Sequence, residues 1–141
     1  MPHAGQELQG PGLRLRLVRT AAETDGELLE MEAAYSGDGQ MPPVHLHPSQ
    51  VERFEVLEGA MNTIIGEAEA RYEPGDVFEV PAGTPHQMAA DGPALVRWEV
   101  RPALRTAEFF EGLYSLLGAE PLDGPALGRL FEEHREEIVF S

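Results

Sequence analysis

Cysteine is absent from the 141-residue chain, which excludes disulfides, thiolate nucleophiles and Cys-ligated zinc or iron–sulfur sites. Positive charge is scarce: 10 basic residues face 25 acidic ones, for a formal net charge of −15. A polyanion such as DNA or RNA would be repelled, and no basic stripe offsets this; an anionic membrane surface is disfavoured for the same reason. No stretch approaches the roughly 18 apolar residues of a membrane helix. The opening "MPHAGQELQGPG" lacks the apolar run of a signal peptide. A cytoplasmic protein without nucleic-acid or membrane partners is the expectation. Serine is sparse too: Ser36, Ser49, Ser115 and Ser141 are the only ones, and none sits in a nucleophile-elbow motif.

What is present is one domain's worth of chain, long enough to bury a core without a staple. Residues 1–12, polar and rich in Gly and Pro, read as a loosely held tail. From residue 13 to 104 short β-type runs alternate with turn chemistry. "LRLRLV" (13–18) puts Leu13, Leu15 and Leu17 on one face and Arg14 and Arg16 on the other. "ELLEMEAAY", "PVHLH", "VERFEVL", "MNTIIG", "EAEARY", "DVFEV", "HQMAA" and "ALVRWEVR" follow, separated by segments such as "SGDG", "HPSQ", "EPGD" and "PAGTP". Many short, evenly spaced strands indicate an all-β sandwich or barrel, and the lack of long helical patterns between them excludes a parallel βαβ architecture.

The texture changes after Pro102, and residues 105–141 read as a C-terminal helical extension. Phe109, Phe110, Leu113, Tyr114 and Leu117 recur at helical spacing over 106–119, with Thr106 as N-cap and Gly118 as stop. A second helix spans about 125–137, striped by Leu127, Leu130, Phe131, His134 and Ile138. The outside of the barrel or a partner subunit would bury these apolar faces. Glu132, Glu133, Glu136 and Glu137 read as the solvated face of the second helix.

The chemistry lies in "GQMPPVHLHPSQVERFEVLEG" (39–59). His45 and His47, two apart on a strand, present both imidazoles to one side. Glu52 is an odd step beyond His47, but "PSQ" offers a bend that returns it to the same side. "GDVFEVPAGTPH" (75–86) then delivers His86 after a Pro–Gly turn, so three imidazoles and a carboxylate can converge. Either histidine of the pair alone would read as an ordinary core residue; the four together do not. His3, in the tail, and His134, on a helix stripe, are not expected to be ligands.

These residues resemble the two motifs of the cupin superfamily, as in small single-domain bacterial-type members. Gly39, His45, His47, Glu52 and Gly59 fill the first motif, and Gly75, Pro81, Gly83 and His86 fill the second, whose final Asn is replaced by Ala90. Chance agreement at these fixed positions is on the order of 10⁻¹² per register at average residue usage.

The resemblance implies an all-β double-stranded β-helix (jelly-roll) barrel with two C-terminal α-helices, and a homodimer formed through N-terminal strands, for which the 13–18 strand would serve as edge. It also implies one divalent transition metal per chain (Fe, Mn, Ni or Zn) on His45, His47, Glu52 and His86. Imidazole and carboxylate donors suit such ions. Glu52 is in addition the candidate catalytic base, because burial would bring its protonated form within reach at neutral pH.

Period two from Glu52 sends Phe54 and Val56 inward, and Met88 follows His86; Gln50 is a further candidate for the pocket wall. The facing of Phe78 and Trp98 is not fixed by pattern. A small organic molecule with a chelating oxygen pair and an apolar body is the expected ligand. The expected activity is of the dioxygenase type. O2-independent isomerisation or cyclisation on the same ligands, or a non-catalytic binding module, are the alternatives.

Overall fold

A computed structural model of the chain describes residues 1–37 and 41–140, so the motif glycine Gly39 lies outside the described residues. Among the described residues eleven strands and three helices follow one another: β1 (Glu7–Gly10), β2 (Leu13–Arg19), α1 (Ala21–Thr24), β3 (Leu29–Tyr35), β4 (His45–Leu46), β5 (Val51–Glu58), β6 (Met61–Ile65), β7 (Ala68–Tyr72), β8 (Val77–Val80), β9 (His86–Ala90), β10 (Ala94–Arg101), α2 (Thr106–Leu117), α3 (Gly124–Glu133) and β11 (Val139–Phe140). They form two antiparallel sheets, one ordered β1-β2-β3-β10-β5-β8 and the other β11-β4-β9-β6-β7, the expected jelly-roll architecture.

The first sheet alternates as period two demands. Leu15 and Leu17 of β2, Leu29, Met31 and Ala33 of β3, Phe54 and Val56 of β5, and Val96 and Val100 of β10 all point inward and are buried. Its outer face carries cross-strand ion pairs, Arg16–Glu32, Arg19–Glu30, Arg97–Glu55 and Arg53–Glu99. Exposed pairs of this kind are worth about 0–1 kcal/mol each, so the inner face, at about 1.5–3 kcal/mol per buried aliphatic or aromatic side chain, holds the sheets together.

That inner face is covered in two different ways. Over β5, β8 and β10 it meets the second sheet, and Phe54, Val56, Met61, Phe78, Val80 and Val96 form one core. Over β2 and β3 the cover comes from α2, and Ala103, Ala107, Phe110 and Tyr114 pack on Leu15, Leu17 and Met31. α2 therefore buries its stripe on the inner face of the first sheet and α3 packs on α2 through Phe131 and Phe109, whereas the sequence points to the outside of the barrel or a partner subunit. The physical reason is that the second sheet, with five strands, is too narrow to span six, which leaves apolar surface for α2.

Three further differences follow from pairing. Residues 7–10, within the stretch read as a loose tail, pair with β2 from Glu7↔Arg16 to Gly10↔Leu13. The 13–18 strand is consequently flanked on both sides, and β1 is the edge. The second C-terminal helix ends at Glu133, where His134 caps it, and residues 134–137 form a turn leading into β11.

Gly59, between β5 and β6, has φ +78°, and a Cβ there would lie 2.3 Å from the Pro93 carbonyl oxygen. Only glycine fits that close approach. Among the described residues, no helix is long and apolar enough to cross a membrane.

Candidate metal centre

The bend at "PSQ" does more than return Glu52 to one side. It carries the chain from β4, in the second sheet, to β5, in the first, so Glu52 faces the histidines from the opposite layer. His45 and His86 lie directly opposite each other in the β4–β9 ladder. The three rings converge, with centroids 4.4 Å apart for His45–His86 and 5.2 Å for each pair that includes His47. One ligand atom from each of His45, His47 and His86 lies within 4.8 Å of the others, a grouping that could hold a metal ion.

Hydrogen bonds decide which nitrogens face inward. Nδ1 of His45 donates to the Pro43 carbonyl (3.0 Å), Nδ1 of His47 to that of Glu137 (2.6 Å) and Nδ1 of His86 to that of Thr84 (2.9 Å). A carbonyl can only accept, so each Nδ1 carries the proton and each neutral Nε2 keeps its lone pair. Glu52 Oε1 lies 3.1 Å from Nε2 of both His47 and His86. Yet Glu52 Oε1 and His47 Nε2, both buried, have no hydrogen-bond partner of proper geometry.

Lone pairs so placed repel one another unless a cation or a proton sits between them. At typical metal–ligand lengths of about 2.0–2.2 Å, two donors at right angles around one ion are about 3 Å apart, so the residues present fit a bound divalent ion. Three neutral imidazoles and one carboxylate would leave such a centre with about one net positive charge.

The remaining oxygen of Glu52 accepts from Trp98 Nε1 at 2.8 Å. Trp98 is held in turn by an aromatic row, with Phe54 at 5.4 Å, Phe78 at 4.9 Å from Phe54, and Phe110 of α2 at 5.4 Å on the other side. Such contacts are worth about 0.5–1.5 kcal/mol each beyond burial, enough to fix the indole N–H direction.

Burial alone would raise the Glu52 carboxyl, as the sequence leads one to expect. The contacts from His47 and His86 outweigh burial and hold it down at about 2, so Glu52 is ionised at neutral pH. Burial likewise opposes charge on His47, but the Glu52 carboxylate beside it holds its pKa above 6.5; for His45 burial prevails and the pKa falls below 6.5.

A cavity of about 610 Å³ opens from these four side chains, within the usual range for small-molecule sites. Phe54 and Met88 line it, together with Trp98, Tyr35 and Tyr114 and, from α2, α3 and β11, Phe110, Phe131 and Phe140. Val56 lies deeper, in the core shared with Met61 and Val80. Gln50 is buried but turned away from this wall: its Nε2 donates to the carbonyls of Pro102 and Ala103 and to Thr106 Oγ1, tying β5 to the start of α2.

Pattern reading missed Tyr35 and Glu137. Tyr35 continues the inward series Leu29, Met31, Ala33, so period two carried the signal. Glu137, read as part of a solvated face, is 1% exposed because the helix has already ended and the turn folds it inward against His134.

A cupin-domain family model matches residues 34–100. The chain is 29% identical over 75 residues to quercetin 2,3-dioxygenase of Bacillus subtilis, which is 53% of this chain and 22% of that protein's length. Among solved structures, KdgF from Halomonas sp. superposes with a TM-score of 0.62 at 24% identity, over 74% of this chain and 93% of that one. Ectoine synthase from P. lautus gives a TM-score of 0.65 at 14% identity, over 74% and 75% of the two chains. Both structural likenesses speak for the fold.

Proposed function

We propose that this chain, matched by a cupin-domain family model over residues 34–100, is a metal-dependent enzyme acting on a small organic molecule, with a dioxygenase-type reaction as the leading reading. The observation that carries the proposal is the convergence of donors: three Nε2 lone pairs set by carbonyl-bonded Nδ1 atoms, and a Glu52 oxygen 3.1 Å from two of them, with that oxygen and His47 Nε2 unpartnered. A divalent ion on His45, His47, Glu52 and His86 would supply Lewis-acid polarisation and, as Fe, Mn or Ni, a redox-capable site for O2 chemistry.

The chain's own groups do the rest. Apolar walls exclude water and seat an apolar substrate body, which strengthens polar contacts at the centre. Ionised Glu52, with one oxygen pinned by Trp98, would accept a substrate proton on the other only when that oxygen is not held by the ion. Burial pushes the hydroxyls of Tyr35 and Tyr114 well above the usual tyrosine range, so both stay protonated and can donate to a substrate oxygen. The likeness to quercetin 2,3-dioxygenase supports the dioxygenase reading over the 75 residues it spans.

The combination of a carboxylate base with two protonated tyrosines in one cavity favours a second reading, O2-independent isomerisation or cyclisation. The same proposal includes a homodimer that uses the free edge of β1, testable by sedimentation.

Elemental analysis of protein purified without tag or chelator, beside His47→Ala, tests the centre. About one transition metal per chain, lost in the variant, is expected. Oxygen uptake during turnover then separates the two reactions. A wild type that is metal-free and refuses added Fe, Mn, Ni and Zn sinks the enzyme reading and leaves a binding module.

A further inference from the structure

The three imidazoles are not oriented alike. The carbonyls that fix His45 and His86 come from Pro43 and Thr84, each two residues away along the same loop. The carbonyl that fixes His47 comes from Glu137, 90 residues away. His45 and His86 are thus aimed by their own loops, whereas His47 is aimed only when the end of the chain is docked.

The docking is built with unusual care. Residues 134–138 turn on hydrogen bonds from the Glu137 and Ile138 amides to the His134 carbonyl, both 3.0 Å. Inside the turn His134 and Glu137, 4% and 1% exposed, meet at 2.6 Å between Nδ1 and Oε1. Arg105 donates to the Glu133 carbonyl at 2.6 Å, and the His134 ring lies 5.4 Å from Phe109. Beyond the turn, β11 pairs with β4, the strand that begins at His45, as Val139↔Leu46 and Phe140↔His45. A buried carboxylate is expensive unless paired, and a plain apolar turn would cost less. The pair sits in the same turn as the Glu137 carbonyl that accepts from His47 Nδ1.

We infer that His134 and Glu137 are positioning residues for the metal centre: their buried pair locks the 134–138 turn so that the Glu137 carbonyl aims His47 Nε2 inward, which couples metal affinity to the docking of the C-terminal segment. The inference rests on the metal-centre reading above. By linkage the coupling is reciprocal, so metal binding tightens the C-terminal segment by the same factor.

The test uses full-length protein and Co(II), whose visible absorption reports both affinity and ligand geometry. Loss of an outer partner of a ligating histidine lowers metal affinity by about 10–100-fold, and that weakening, with an altered spectrum, is expected for His134→Ala and Glu137→Leu. Glu137→Gln keeps an acceptor for His134 and is expected within about threefold of wild type, a rescue that loss of bulk packing would not give. Near-UV circular dichroism confirms that each variant is folded.

In wild type, hydrogen exchange supplies a readout independent of any substitution: Co(II) slows exchange of the amides of Glu137–Phe140. Folded variants with wild-type affinity and spectrum, or exchange unmoved by Co(II), overturn the inference alone. A wild type that takes up no Co(II) overturns the metal-centre reading and this inference with it.

Discussion

Trp98 donates its indole N–H to Oε2 of Glu52 at 2.8 Å, across the β10–β5 pair. The bond leaves Glu52 a single oxygen for the histidines. Trp98→Phe preserves the ring packing against Phe54 and Phe110 and removes the donor. The expected cost is about 1.5–3 kcal/mol in urea unfolding of metal-stripped protein, as for other hydrogen bonds to charged groups. Metal affinity is expected to fall about tenfold. A phenylalanine variant indistinguishable in both would show that the indole does not hold the carboxylate.

Acid stability of the metal-stripped protein follows from the same carboxylate. Glu52 moves from an ordinary value of 4.5 to about 2, because the His47 and His86 contacts overcome burial. A depressed carboxyl stabilises the fold above its unfolded value, and that contribution is lost as pH falls from about 4.5 toward 2. Its size is on the order of 3 kcal/mol. Urea midpoints measured across this window should fall more steeply in wild type than in Glu52→Gln; parallel slopes would contradict the assignment.

Metal uptake should release a proton from His47 rather than from His45. Burial opposes charge on both, but on His47 the Glu52 contact raises the pKa, so its imidazolium persists to higher pH. A bound ion needs the neutral ring, so affinity weakens as pH drops below the raised value, and the released proton disappears above it. Calorimetric titration with Zn(II) in buffers of different ionisation enthalpy counts that proton. Equal heats in both buffers at mildly acidic pH would refute the prediction.

Two glycines separate backbone strain from collision. Gly59 and Gly75 both have positive φ, +78° and +94°, but only at Gly59 does an added Cβ strike backbone, at 2.3 Å from Pro93 O. Gly75→Ala is expected to cost about 1 kcal/mol and Gly59→Ala more than about 3 kcal/mol, by thermal or urea unfolding. Equal losses would mean that the β5–β6 turn can shift away from Pro93.

Much of the centre is legible in sequence because it rests on short-range rules. Period two aims His45 and His47 together, a bend returns Glu52, and a Pro–Gly turn delivers His86. What escapes is what depends on register between distant segments. Trp98 reaches Glu52 only because β10 lies beside β5 in one particular register, and nothing local in "LVRWEV" reveals it. The stripe of α2 is plain at period 3.6, yet the surface it covers depends on how many strands the second sheet supplies. Glu137 fails for a narrower reason: reading the helix four residues too long turns a buried carboxylate into an exposed one.

The division of the inner face between a sheet and a helix sets how such a sequence can change. The proposed ion-binding and proton-accepting groups lie between residues 45 and 98, whereas much of the far wall lies between 106 and 140. Positions such as Leu113, Leu127 and Phe131 can therefore be randomised as a block, sparing the 134–137 turn, to search for new clients without disturbing the donors. The segment 106–133 is, on this arrangement, a dial for what the proposed site would accept.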